Sequence, residues 1–494
     1  MRLLSHVAAA TAFLVLATLN AGGYRYGASD QAFYIPAILK QLSPALFPRD
    51  TALIGPQARY FFVDEIVAAL VARSGWSIEA WFAIGYVLTL AVLYAGLWRL
   101  GHHLFRSPYA TWALLAAETL RHRITKTGVN TLEGYFHPRV LVFAVGVWAI
   151  AAYLRGRAVL GLVALLLAGL LHPTTAAFFA VFLLPAIWVT EPRARRLVGV
   201  AITAGLIGLA WLLLAGPLRD ALTPMDAEWR GLLDSKDYLF PVRDWDAGAW
   251  IANLGTAALA MGTLAHRVAH RRASPREEGL LAGAAALTLG FLVTLPAVTA
   301  GSAFFVQLQI SRVFWILDLL GVVSVLWLLL EGDRWPAPEA RPRLRFGVVA
   351  LLVAAALARG TWVSLAERRD RPLLAWSLPD DDWTRVIEWA ASQPIRTHLL
   401  ADPGHAWRYG TPLRYSGRDV FLEEVKDTAM AIYSRESAAR VIERQAALGD
   451  FSTLDGEHAR ALARRYRLDY LVIRGELPLP EAHREGGFHV YALR

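Results

Sequence analysis

Two carboxylates and a set of imidazole and guanidinium groups carry most of the chemistry this sequence could perform. Asp30 stands in Tyr24-Arg25-Tyr26-Gly27-Ala28-Ser29-Asp30-Gln31-Ala32-Phe33-Tyr34, where it could accept a proton from an attacking hydroxyl or help to bind a metal. Its plainer reading is the N-cap of a helix over Gln31–Leu42, and the two roles are compatible. Asp50, in Phe47-Pro48-Arg49-Asp50, is the second catalytic candidate, or else a turn residue. Glu133, His137 and Arg139 could supply a base, a metal ligand and a phosphate anchor, although no spacing such as His-x3-His supports the metal. In Gln307-Leu308-Gln309-Ile310-Ser311-Arg312, Gln309 is a further substrate-binding candidate. Arg312 could grip a phosphate with two parallel hydrogen bonds, or simply snorkel to the membrane interface. Phe136-His137-Pro138-Arg139 is echoed 35 residues later by Leu171-His172-Pro173-Thr174. This echo describes two helix starts with Pro in the first turn, or two imidazoles facing one shared cavity. Asp318 lies in an apolar run and calls for a basic partner that the sequence does not name.

The elements that position these residues follow from composition. Of 494 residues, 56% are hydrophobic and 18% charged, against about 25% charged in soluble domains. Mean hydropathy is +0.38, so the chain reads as an α-helical polytopic membrane protein. It has no cysteine, which excludes disulfides, thiolate metal sites and cysteine nucleophiles. About eleven apolar runs approach the length needed to cross hydrocarbon: 3–22, 79–98, 108–120, 138–154, 158–171, 173–189, 197–216, 247–264, 279–299, 310–330 and 346–357. Leu19-Asn20-Ala21 makes a poor cleavage site, so the first run reads as an anchor.

Basic residues set an expected orientation. Arg2, Arg99, Arg106, Arg155, Arg157, Arg193, Arg195, Arg196, Arg267, Arg271, Arg272, Arg276, Arg334, Arg341, Arg343 and Arg345 fall in one alternate set of loops. Only Glu191, Glu277, Glu278, Glu331, Asp333 and Glu339 oppose them there. That set should be cytoplasmic, which places the N-terminus inside and the C-terminus outside an inner membrane. Arg121, Arg123 and Lys126 run against this rule by falling on the outer side. The net charge of +9 therefore reads as an orientation signal, and no nucleic acid partner is expected.

The expected domains are a transmembrane domain over 1–359, with a long outer loop at 23–78, and a small extracytoplasmic α/β domain over 360–494. In the loop, Tyr60-Phe61-Phe62-Val63-Asp64-Glu65-Ile66-Val67-Ala68-Ala69-Leu70 has an apolar face at helical spacing and should lie in the membrane interface. In the tail, Pro379-Asp380-Asp381-Asp382-Trp383 opens a helix. Strands are expected at 397–401, 419–422, 469–473 and 488–493, and amphipathic helices at 425–447 and 456–467. No glycine-rich phosphate loop occurs.

Taken together, Asp30-Gln31-Ala32-Phe33-Tyr34, Phe47-Pro48-Arg49-Asp50, Leu171-His172-Pro173, Gln309-Ile310-Ser311-Arg312 and a tail with Trp389, Asp402-Pro403, Arg418 and Tyr470-Leu471-Val472 resemble the GT-C class of membrane glycosyltransferases. The pattern is most similar to an uncharacterised bacterial membrane family of that architecture. The resemblance implies sugar transfer from a polyprenyl-phosphate donor at the outer face of the bilayer, with Asp30 as base or metal ligand and Arg312 on the donor phosphate. It also makes a divalent metal a candidate cofactor. The chain lacks the Asp-Glu pair of protein mannosyltransferases and the Trp-Trp-Asp acceptor motif of oligosaccharyltransferases. A non-catalytic scaffold or binding protein with the same fold, and a transporter, are the competing classes. A transporter would need repeat halves about a midplane site, and beyond the His-Pro echo no such symmetry is visible.

Overall fold

The computed structural model describes residues 2–58, 60–332 and 342–494. Asp333, Arg334, Glu339 and Arg341, four of the loop charges used for orientation, lie outside the described residues, as does the side chain of Arg2. Each of the eleven apolar runs falls on helix. Among the described residues seven helical stretches are long and apolar enough to cross a membrane: Ile78–Leu104, Pro173–Thr190, Pro192–Leu214, Ala247–Ala269, Pro275–Thr299, Ala303–Leu330 and Pro342–Glu367. Three shorter apolar helices, Leu4–Asn20, Pro138–Leu154 and Ala158–Gly169, fall below that length, and Pro108–Glu118 is shorter still. The chain is thus built as a multi-pass membrane protein.

It divides into two compact units that are each discontinuous in sequence. The first gathers Met1–Tyr24, Ile84–Pro224 and Lys236–Leu374; the second gathers Arg25–Ala83, Met225–Ser235 and Ala375–Arg494. This differs from the expected division at residue 360, because most of the first outer loop groups with the tail. Hydropathy marks where a chain leaves apolar sequence, whereas the units follow which segments pack together.

The first unit is helix packed on helix. Small residues permit close approach: a Cβ at Gly283 of Pro275–Thr299 would lie 2.5 Å from the Phe182 carbonyl oxygen of Pro173–Thr190. Asn20 ties the ends of the unit together, since its side chain donates to the Ala356 carbonyl at 2.8 Å and Arg359 donates to its backbone and side-chain oxygens at 3.0 and 2.9 Å.

The second unit contains a five-stranded sheet. Its strands are β1 (His398–Ala401), β2 (Asp419–Val420), β3 (Tyr470–Ile473), β4 (Glu481–Glu485) and β5 (Phe488–Ala492), in the spatial order β2-β1-β3-β5-β4. β1 is parallel to both β2 and β3, with Leu399 opposite Val420 and Leu400 opposite Leu471. β5 runs antiparallel between β3 and β4, with Val472 opposite Val490. Trp383, Val386, Leu399, Val420, Val472 and Val490 form the core under the helix Asp382–Ser392, whose first turn is capped by Asp381 on the Thr384 N–H at 2.8 Å.

Two tail expectations are corrected. The helix expected over 425–447 is broken into Glu424–Met430 and Arg435–Leu448, because Ser434 leaves helical geometry and its side chain caps the Ser437 N–H at 3.3 Å. β4 was not anticipated: Glu-Ala-His-Arg-Glu has no apolar alternation, as befits an edge strand with charged side chains.

Candidate functional site

The helix Gln31–Leu42 begins where expected, but Asp30 does not cap it through its side chain. The Gln31 side chain instead accepts from the Gly27 N–H at 2.6 Å, and Tyr415 donates to the Gly27 carbonyl at 3.1 Å. Held in this loop, the Asp30 carboxylate pairs with the Lys426 ammonium at 3.4 Å. Lys426 also lies 4.9 Å from the centre of the Phe33 ring. Asp30 remains 29% exposed, so solvent reaches the carboxylate.

Asp50 has a different environment. It is fully buried and paired with Arg414 at 2.9 Å and with Arg440, and it accepts the Val420 N–H at 3.0 Å. Arg414 further binds Glu423 at 2.9 Å and Asp427 at 2.8 Å. Burial by itself would raise the Asp50 carboxyl, but the charges of Arg414, Arg440 and Arg444 outweigh it and hold the group below the usual carboxylate range. Both Asp50 oxygens are engaged in this network.

The other six candidates belong to the first unit. His137 and His172 are the N-caps of Pro138–Leu154 and Pro173–Thr190. Nδ1 of His137 accepts the Arg139 N–H at 3.2 Å; Nδ1 of His172 accepts the Thr175 N–H at 3.4 Å, with the Thr175 hydroxyl at 2.9 Å. Because Nδ1 is the acceptor in both rings, a neutral imidazole here carries its proton on Nε2. The two rings also meet, edge to face, with centres 6.4 Å apart. The capping reading of the His-Pro echo is therefore realised, and the two capping rings also lie against each other. Burial, then the neighbouring charges of His137, Arg312 and Arg139, push His172 well below its ordinary value, so it is a neutral Nε2–H donor.

Arg312 is placed by backbone geometry. Gln309, buried and in the left-handed region at φ 52°, breaks the helix Ala303–Leu308 and starts the short turn Ile310–Val313 ahead of Phe314–Leu330. The Arg312 guanidinium lies 5.9 Å from the centre of the Tyr238 ring, whose backbone carbonyl accepts from Ser311 at 3.0 Å. Glu133 binds Arg139 at 3.3 Å and accepts from Asn130 at 3.1 Å, with Arg121 at 3.9 Å.

Arg121 and Asn130 open onto a feature the sequence did not reveal. A cavity of about 430 Å³ is lined by Arg121, Arg123, Lys126, Arg359, Asp237 and Gly128, among others. Four cationic side chains and one carboxylate line it; Arg121 is paired with Glu133 and Lys126 with Asp246, and the balance that Arg123 and Arg359 leave is positive, which favours an anion. Gly128, at φ 68°, accommodates the Tyr238 ring 3.1 Å from where a Cβ would stand, so Tyr238 links this pocket to Arg312. The signal was present in Arg121, Arg123 and Lys126, the residues that broke the orientation rule; Arg359 is distant in sequence. Asp318 also finds its partner here: His122 Nδ1 lies 3.0 Å from its carboxylate.

Among the described residues no group of three or more His, Asp or Glu side chains gathers as a metal site. A cation at Asp30 would meet the Lys426 ammonium. The donor set therefore does not fit a resident divalent metal, and no step below is routed through one.

No protein family and no curated protein matches the sequence. The fold does have a solved counterpart. The apo oligosaccharyltransferase of Archaeoglobus fulgidus aligns over 95% of this chain and 69% of its own, at a TM-score of 0.52 and 12% identity. A second structure of that enzyme, tethered to an acceptor peptide containing the NVT sequon, covers the same shares at 12% identity but with a TM-score of only 0.37. At this identity the likeness concerns fold alone: the fold of this chain is similar to that of the archaeal oligosaccharyltransferase.

Proposed function

We propose that this protein transfers a sugar from a polyprenyl-phosphate donor to an acceptor hydroxyl at the outer face of the inner membrane, as a member of an uncharacterised bacterial branch of the GT-C class. The observation that supports the reading is the meeting of the His137 and His172 rings, 6.4 Å apart, with the charges of Arg312 and Arg139 near enough to depress His172. The acceptor oxygen forms a bond to the anomeric carbon while the bond from that carbon to the phosphate oxygen breaks, its electron pair leaving on the phosphate. Arg312 and Arg139 neutralise the charge that develops there, and the Nε2–H groups of the two histidines donate to it. The cationic pocket around Arg121 and Arg359 supports this role by concentrating anions. The acceptor proton passes to a general base, the role that the GT-C resemblance implies for Asp30. Asp50 is left out of the chemistry and given a structural role, because its oxygens are occupied within a buried charge network.

Transfer from a polyprenyl-phosphate sugar, assayed with purified protein in nanodiscs, tests the proposal. Asp30→Asn should lower the rate by about 10²-fold or more, the scale of a positioned base. Full activity in that variant would remove Asp30 from the mechanism.

A further inference from the structure

The five-stranded domain carries a pocket of its own, of about 270 Å³, lined by Trp383, Asp402, Arg408, Tyr409, Arg474 and Phe488, among others. Its position follows from topology. β1 is followed in the chain by β2 on one side, and then by β3 on the other. Parallel strands that part in this way leave a crevice at their carboxyl ends, the place where open α/β sheets bind ligands. Asp402 directly follows β1 and Arg474 directly follows β3.

The lining chemistry narrows the occupant. Trp383, Tyr409 and Phe488 pack into one aromatic cluster, with ring centres 4.9, 5.1 and 5.0 Å apart; Trp383 and Phe488 are buried in the core and Tyr409 is half-buried at its edge. Arg474 spreads its guanidinium over two of these rings, 5.2 Å from Tyr409 and 4.6 Å from Phe488. It is exposed, and among the described residues no carboxylate lies within ion-pair distance of it. A guanidinium stacked on rings keeps its hydrogen-bonding edge for a planar anion. The Asp402 carboxylate also lines the crevice, held by the Gly404 N–H at 2.8 Å and by Arg408 at 2.6 Å. The turn after β1 offers little to a phosphate, because Pro403 has no N–H and the Gly404 N–H is already taken. The anion must therefore be read by a side chain.

We propose that this crevice binds a small saccharide bearing a carboxylate, with the sugar ring against Tyr409, its carboxylate on Arg474 and its hydroxyls on Asp402. The site is distinct in residues from the donor-phosphate groups of the first unit and does not depend on the transferase reading. It gives the α/β domain a recognition role that a purely structural domain would lack.

Calorimetric titration of the full chain in nanodiscs with D-glucuronate, D-glucose, D-glucose 6-phosphate and benzoate tests the inference. Glucuronate should bind in the range of about 1 mM or tighter, and about 10-fold or more tightly than each of the others. Arg474→Gln should erase that preference while leaving the melting temperature unchanged, and Arg474→Lys, which keeps the charge without the fork, should retain only part of it. Asp402→Asn should weaken glucuronate and glucose alike. Equal binding of glucuronate and glucose would overturn the proposal. So would benzoate or glucose 6-phosphate binding as tightly as glucuronate, or a glucuronate affinity indifferent to Arg474→Gln.

Discussion

Both ring nitrogens of His122 face oxygen acceptors, Nδ1 at Asp318 and Nε2 at the Ala117 carbonyl 3.2 Å away, so this imidazole is held protonated. Burial opposes the charge, but the hydrogen bond to Asp318 and the charges of Glu118 and Asp318 outweigh it and lift the group to about 9. A raised folded-state value stabilises below the ordinary value of about 6.5 and loses that contribution as pH climbs towards 9. Thermal unfolding should therefore show stability falling between those limits, and His122→Asn should flatten the slope. Asp50 works with the opposite sign: its depressed carboxyl stabilises above the ordinary carboxylate range and ceases to do so as acid protonates it. Asp50→Asn leaves Arg414 and Arg440 short of a buried partner and should destabilise the second unit by ~3–5 kcal/mol in chemical denaturation. Sequence gave the chemical types of these residues but not their partners. Asp30 reads as a helix cap because capping is local, whereas the contact that claims its side chain, Lys426, is 396 residues away.

Elements were more legible than contacts. The helix Gln31–Leu42 begins where expected although Asp30 does not cap it, and the start of Asp382–Ser392 follows from its Asp381 cap and first-turn carboxylate. The two His-Pro steps begin helices as Pro at the first position predicts. What spacing alone could not supply is that two helix starts 35 residues apart bring their rings within 6.4 Å. That convergence separates the capping role from the chemical one. His172→Asn keeps a side-chain oxygen able to cap the Thr175 N–H, and should hold thermal stability within about 1 kcal/mol of the native chain. The same change lacks the Nε2–H at its position, and transfer should fall by about 10-fold or more. A proportional loss of stability and activity would make the histidine a cap and nothing else. The charged edge strand β4 and the break at Ser434 escaped the sequence for a related reason, since both are set by what packs beside them.

For the whole molecule, the net charge of +9 divides into 31 basic against 21 acidic residues up to 359 and 19 against 20 beyond. The excess therefore belongs to the helical part. Part of it gathers in one place, where Arg121, Arg123, Lys126 and Arg359 line one cavity. An exposed cationic field is screened by salt. The KM for the lipid-phosphate donor should rise as ionic strength increases, and Arg123→Gln, which removes one charge from the rim, should make that rise shallower. The most direct test of the account is the release of polyprenyl phosphate from a polyprenyl-phosphate sugar in nanodiscs, followed for the native chain and for Arg312→Gln. Acceptor-dependent release is expected for the native chain, with a loss of about 10²–10³-fold in the variant, the scale of one positioned charge-stabilising group. Release at equal rates by both, or none by the native chain across a range of sugars and acceptors, would contradict it.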